Sequence, residues 1–111
     1  MAIKANIVID QGADFSATID VVDSGGNAFD LTNYSAASQM RKNYASASPA
    51  ATFTCTDSAI AGSITISLSN SVTNSIEPGR YLYDVEITSS VDGEVIRVVE
   101  GIATVTPGIT R

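Results

Sequence analysis

The stretch Glu77-Pro78-Gly79-Arg80-Tyr81-Leu82-Tyr83-Asp84-Val85-Glu86-Ile87 constrains this chain more than any other. Pro78 presets φ for a turn corner, and Gly79 accepts the positive φ that often follows. Beyond the turn, Tyr81, Tyr83, Val85 and Ile87 alternate with Leu82, Asp84 and Glu86. A period of two is the mark of a strand with one buried face.

The same alternation recurs along the chain. Ile3, Ala5, Ile7 and Ile9 outline a first strand, and Phe15, Ala17, Ile19 and Val21 a second. The intervening Asp10–Asp14 turn carries Gly12, which suggests either a hairpin or a strand that kinks and switches sheet. Asp23–Asn27 is the strongest turn signal. Leu31 is expected to plug an edge of the core. Tyr34–Lys42 contains good helix formers, but its all-β neighbours favour a strand. Asn43–Ala50 reads as an exposed loop broken by Pro49. Ala51, Phe53 and Cys55 alternate with threonines, and Ile64, Ile66 and Leu68 with serines and a threonine. Asn70–Ile76 predicts one short helix, capped by Ser69, Asn70 or Ser71, with Val72 and Ile76 at i, i+4 on one face. Asp92-Gly93 marks a hairpin. In the last strand, Gly101 suggests a bulge or bend. About seven strands with turn signals every 8–12 residues predict an all-β, antiparallel β-sandwich with one short helical crossing before the Tyr-rich strand. Residues 1–111 read as a single domain.

Apolar content of 44% speaks for a packed core rather than disorder. Six basic residues against twelve acidic ones leave a net charge of −6. The cations are scattered, which speaks against nucleic acid and against anionic membranes as partners. The N-terminus, Met1–Asn6, lacks the long apolar core of a signal peptide. Cys55 is the sole cysteine, expected to act as a small buried hydrophobe.

No histidine is present, which removes the commonest general base and metal ligand. Ser-His-Asp and Cys-His catalysis are excluded for a single chain. Asp84 and Glu86 share a strand face, with Asp20 as a candidate third carboxylate, but surface carboxylates on a solvent face are the commoner arrangement. Asp23, Asn27 and Asp30 place oxygen ligands in one loop without the spacing of a calcium-binding loop, so a hydrogen-bonded turn is the expected role. Tyr34, Tyr44, Tyr81 and Tyr83 offer rings for carbohydrate stacking. Tyr81 and Tyr83 lie on the apolar face, which leaves Tyr44 as the ring free for a partner. Arg41, Arg80 and Arg97 are expected to pair across strands with Asp84, Glu86 or Glu100. No catalytic, cofactor-binding or metal-ligating residue is therefore assigned, and no cofactor.

Ile66–Val85 resembles the approach to a late strand in immunoglobulin-like domains: an alternating strand, a helical crossing, an acidic turn, then Tyr-x-core. Tyr81 stands two residues before Tyr83, where an antibody domain has its cysteine, and so resembles a tyrosine corner. The fold implied is Ig-like. A broader likeness covers nearly the whole chain. Its pieces, in order, are Gln11–Phe15, Gly26 to Tyr34, Gln39-Met40-Arg41, Ile64–Leu68, Pro78–Val85, Asp92-Gly93 and Glu100 to Pro107. In this order they resemble small β-sandwich modules of tailed-bacteriophage virions, including the N-terminal domains of baseplate upper proteins. Ser38 departs from that pattern, because the inward position is usually larger and apolar. The resemblance implies a non-enzymatic virion structural protein of the tail or baseplate, assembled in the host cytoplasm. Its implied partners are other virion proteins and copies of itself. The alternatives are a capsid decoration or cement protein on the head exterior and, more distantly, a carbohydrate-binding or adhesion sandwich. Edge strands pairing with neighbours are the expected mode of contact, with the N-terminal strand and the Asn43–Ala50 loop as candidates.

Overall fold

The computed structural model describes residues 3–22, 25–43, 45–46, 48–58 and 62–108. Its elements in order are β1 (Ile3–Lys4), β2 (Ile7–Asp10), β3 (Phe15–Asp20), β4 (Tyr34–Arg41), β5 (Ala51–Ser58), β6 (Ser63–Leu68), α1 (Asn70–Asn74), β7 (Gly79–Ser89) and β8 (Val95–Thr106). The strands form one mixed sheet in the order β1-β8-β7-β4-β5-β6-β3, with β2 also on β8. The protein is all-β.

The sheet curls into a sandwich because β5 belongs to both layers. Ala51, Thr52 and Phe53 pair with β4, and Thr54–Ser58 pair with β6. Phe53, at the changeover, meets Phe15 of the short layer at 5.9 Å between ring centroids and Tyr83 of the long layer at 6.2 Å. The long layer is β1/β2-β8-β7-β4 with the start of β5; the short layer is the rest of β5 with β6 and β3.

The long central strand is β7, paired with β8 on one side and β4 on the other. Tyr81, Tyr83, Val85 and Ile87 are buried, as their period of two predicts. Ile64, Ile66 and Leu68 of β6 face them across the core. Each such aliphatic side chain contributes about 1.5–3 kcal/mol through burial. Leu31 is buried at the edge of this core, as expected. Tyr34–Arg41 is a strand, and Ser38 is buried within it, opposite Phe53 on one side and Val85 on the other. Its hydroxyl donates to the Asp84 carbonyl, so this polar departure from an apolar position is satisfied inside the sheet.

The first strands depart from an all-antiparallel arrangement. β1 and β2 run parallel to β8, and no β2–β3 hairpin forms. After Gly12 (φ +85°) the chain changes layer and β3 pairs antiparallel with β6. The crossing is tied at both ends. Gln11 donates its N–H to the Thr106 carbonyl at 3.0 Å and its side-chain amide to the Ile76 carbonyl at 2.9 Å.

The short helix α1 docks against the same crossing. Its buried face holds Thr73 and, just beyond its last turn, Ile76; Val72, at i, i+4 to Ile76 in sequence, is exposed. The Thr73 hydroxyl donates to the Ala13 carbonyl at 2.8 Å and accepts the Gly12 N–H at 3.1 Å. The N-cap is Ser69, but no side chain of the helix's own flank caps it. Asp14 does so from across the chain, accepting the Asn70 N–H at 2.8 Å. A helix this short is held by such contacts and not by its own propensity.

In β8, the bulge lies at Val98 and not at Gly101. Val85 faces Val99 while Glu86 faces Arg97, so Val98 is the extra residue, and Val98 and Val99 are both buried. Gly101 answers a different need. A Cβ there would lie 2.0 Å from the Ala5 carbonyl oxygen, so only glycine lets the N-terminal strand cross this close.

Candidate functional site

Three of the four tyrosines make contacts within the fold. The Tyr81 hydroxyl donates to the Glu77 carbonyl at 2.7 Å, four residues upstream, which is the hydrogen bond of a tyrosine corner. The Lys42 ammonium covers its ring at 4.8 Å. The Tyr83 hydroxyl donates to the Ala5 carbonyl at 2.6 Å and pins the N-terminal strand. Burial pushes both phenols above their usual range, and the nearby Glu77 charge adds to the effect on Tyr81. Tyr34 packs edge-on against Phe29 at 5.5 Å. Tyr44 lies outside the described residues.

The candidate ligand and nucleophile positions resolve in the same direction. Asp30 accepts the Thr32 N–H at 2.9 Å in its own turn, and hydrogen bonds from Thr32 hold its carboxyl below the usual range. Asp23 lies outside the described residues. Among the described residues, no group of three or more Cys, Asp and Glu side chains is placed to hold a metal ion. Cys55 is half-buried rather than buried; desolvation, then the charge of Asp57, pushes its thiol up, away from the reactive thiolate. No helix of the described residues is long and apolar enough to cross a membrane.

Asp84 and Glu86 do meet other charges, on the outer face of the long layer. Residues that alternate outward from β1, β8, β7 and β4 line a groove of about 500 Å3 there. Lys4, Arg41 and Arg97 face Asp84, Glu86 and Glu100 within it, around Leu82 and Ile102. Cations scattered in sequence are thus gathered, but into a mixed field and not a positive one. The Arg97 guanidinium lies 3.3 Å from Asp84 and 3.4 Å from Glu100. This is a cross-strand ladder of half-exposed charges, a modest stabiliser of an open face. Arg41 turns instead to the Ser46 carbonyl at 2.9 Å and to Gln39 at 3.0 Å. Asp20 does not join them. It ends β3 on the short layer, opposite Ser63.

Of the two contact segments expected from sequence, the N-terminal strand lies at the end of the long layer, paired with β8. The Asn43–Ala50 loop is stitched to the end of β4. Asn43 accepts the Ala45 N–H at 3.0 Å and Arg41 holds Ser46, while residues 44 and 47 lie outside the described residues.

What sequence reasoning missed is the short layer's outer face and its edge. Register places Ser67 between Ser16 and Thr54, and Thr65 between Thr18 and Thr56. The Thr18 and Thr65 hydroxyls meet at 3.0 Å. This face is a lattice of hydroxyls with Asp20 at its margin, and β3 ends the strand order. The polar alternation of the three strands carried the signal, but their adjacency did not. No protein-family model matches the chain, and no curated protein sequence does.

Proposed function

We propose that this protein is a non-enzymatic structural module of a tailed-bacteriophage virion, an Ig-like sandwich that makes protein–protein contacts in the tail or baseplate. The observation that carries the reading is how the side chains are used. Tyr81, Tyr83, Ser38 and Thr73, the groups most able to bind or react, are committed to backbone carbonyls within the fold. The backbone edge of β3 and the hydroxyl-rich outer face of the short layer offer a partner surface of the kind by which sandwiches join one another. The ordered motifs from Gln11–Phe15 to Pro107 support the virion address by resemblance.

Antibody labelling of purified particles whose genome encodes the chain tests the proposal. Label at the tail end is expected. Label over the head surface moves the module to the capsid exterior, and particles free of label refute a virion role.

A further inference from the structure

We propose that the open edge of β3 is a self-association surface, on which β3 of a second copy of this chain lies antiparallel about a two-fold axis at Thr18. The inference rests on the contact role proposed above and names its edge and its partner.

The backbone defines which groups are available. The Val21 N–H donates to the Gly62 carbonyl at 2.7 Å, continuing the register in which Phe15 faces Leu68 and Asp20 faces Ser63. In an antiparallel pair, a residue's N–H and C=O point the same way, and the direction alternates along the strand. Phe15, Ala17 and Ile19 therefore address β6, and Ser16, Thr18 and Asp20 turn their backbone groups outward. The Thr18–Thr65 hydroxyl contact agrees, since side chains come closest at pairs that exchange no backbone bonds. No other described strand pairs with this side of β3.

The side chains point to a copy of the same strand. Phe15, Ala17 and Ile19 face the core but stay half-buried, whereas Ile64, Ile66 and Leu68 beside them are buried. With Thr18 opposite Thr18 of the second copy, Ala17 meets Ile19 and Phe15 meets Val21, apolar on apolar. Ser16 meets Asp20, a hydroxyl against a carboxylate. The Thr18 pair and both Ser16–Asp20 pairs then exchange backbone hydrogen bonds, and the cover over the half-buried row is completed.

Charge selects this edge for a like partner. Each copy carries −6, so two copies approach best where neither presents like charges. Asp20 is the only charged residue of β3, and the outward neighbours on β6 are Ser63, Thr65 and Ser67. The opposite edge is guarded: it is interrupted at Ala5–Asn6 and carries Lys4 and Asp10. β3 has no Lys, Pro or bulge, the devices that usually keep edges apart.

Sedimentation velocity of the full chain over a concentration series, with circular dichroism as the check on folding, tests the pairing. A concentration-dependent dimer is expected. Thr18→Lys sets two ammonium groups directly opposite each other at the axis, leaves the β3–β6 backbone bonds intact, and should weaken the dimer roughly tenfold or more. Ser16→Lys adds the same charge two residues away but places it opposite Asp20, so the dimer should be retained or tightened. A wild-type chain that stays monomeric overturns the pairing, as does a dimer that ignores Thr18→Lys or is weakened equally by both variants. A monomer that still labels particles sinks the pairing alone; a dimer absent from particles sinks the virion role alone.

Discussion

Substituting Gly101 by alanine tests the packing of the N-terminal strand most directly. The added Cβ would stand 2.0 Å from the Ala5 carbonyl oxygen and 2.7 Å from its carbonyl carbon. Both are backbone atoms, so no side-chain rotation relieves the clash. The strand must lift by ~1 Å or more, since overpacking is relieved by backbone shifts that cost about 1–3 kcal/mol. The lift also separates the Ala5 carbonyl from the Tyr83 hydroxyl, now 2.6 Å away, and so removes a hydrogen bond worth about 0.5–1.5 kcal/mol. The sum is a loss of roughly 2–4 kcal/mol, or about 10 °C or more in Tm. Urea unfolding gives the first quantity. Amide exchange gives the location, because the Ala5 N–H bond to the Glu100 carbonyl and the Ile102 N–H bond to the Asn6 side chain should both lose protection. A double-mutant cycle sharpens the test. Tyr83→Phe alone should cost about 0.5–1.5 kcal/mol, and close to nothing once Gly101→Ala has already broken the bond. Additivity within about 0.5 kcal/mol, or a Gly101→Ala variant as stable as wild type, would refute the reasoning.

Tyr81→Phe removes only the hydroxyl bond to Glu77 and should lower stability by about 0.5–1.5 kcal/mol, measured by urea denaturation; an unchanged midpoint argues against the corner. Thr73→Val keeps the shape but leaves the Gly12 N–H and Ala13 carbonyl without their partner, and should cost about 2–3 kcal/mol, with α1 amides exchanging faster. An alkaline titration should show Cys55, Tyr81 and Tyr83 acting together. Their folded-state values are raised, so the stability they contribute is complete below their ordinary values and is lost as pH rises through the raised ones. Stability should hold up to about pH 8.5 and decline through about pH 10 and above. A Tyr83→Phe chain should decline less steeply, and identical slopes for the two would count against burial as the cause.

Much of the architecture was legible in the residues. The alternation of β7 marks its inner and outer faces correctly, and all-β neighbours rightly outweighed helix propensity in Tyr34–Arg41. The hydroxyl bond of Tyr81 was readable from its place before Tyr83 and after Pro78-Gly79. Less legible is α1, where the i, i+4 spacing of Val72 and Ile76 does not show that Thr73 takes the inner place; its hydroxyl serves the Gly12 turn, a partner 61 residues away. In sequence Gly101 suggests only a bulge or bend, since its true neighbour, Ala5, lies near the other end of the chain. The candidate surface was the least legible part. Asp20 and Asp84 looked alike as outward carboxylates, yet they stand on different layers.

Residue pattern alone shows that strands form, where they turn, and which side of each is apolar. These are local properties, because side chains alternate with a period of two along any extended backbone. It did not determine who lies beside whom, since the same one-sided alternation suits many neighbours and registers. Three-dimensional packing sets β2 parallel to β8, shares β5 between both layers, and leaves β3 at the end of the strand order among the described residues. Those outcomes depend on long-range contacts. The Tyr83 hydroxyl and Gly101 hold the N-terminal strand in the long layer, and Thr73 holds the crossing that sends β3 to the short one.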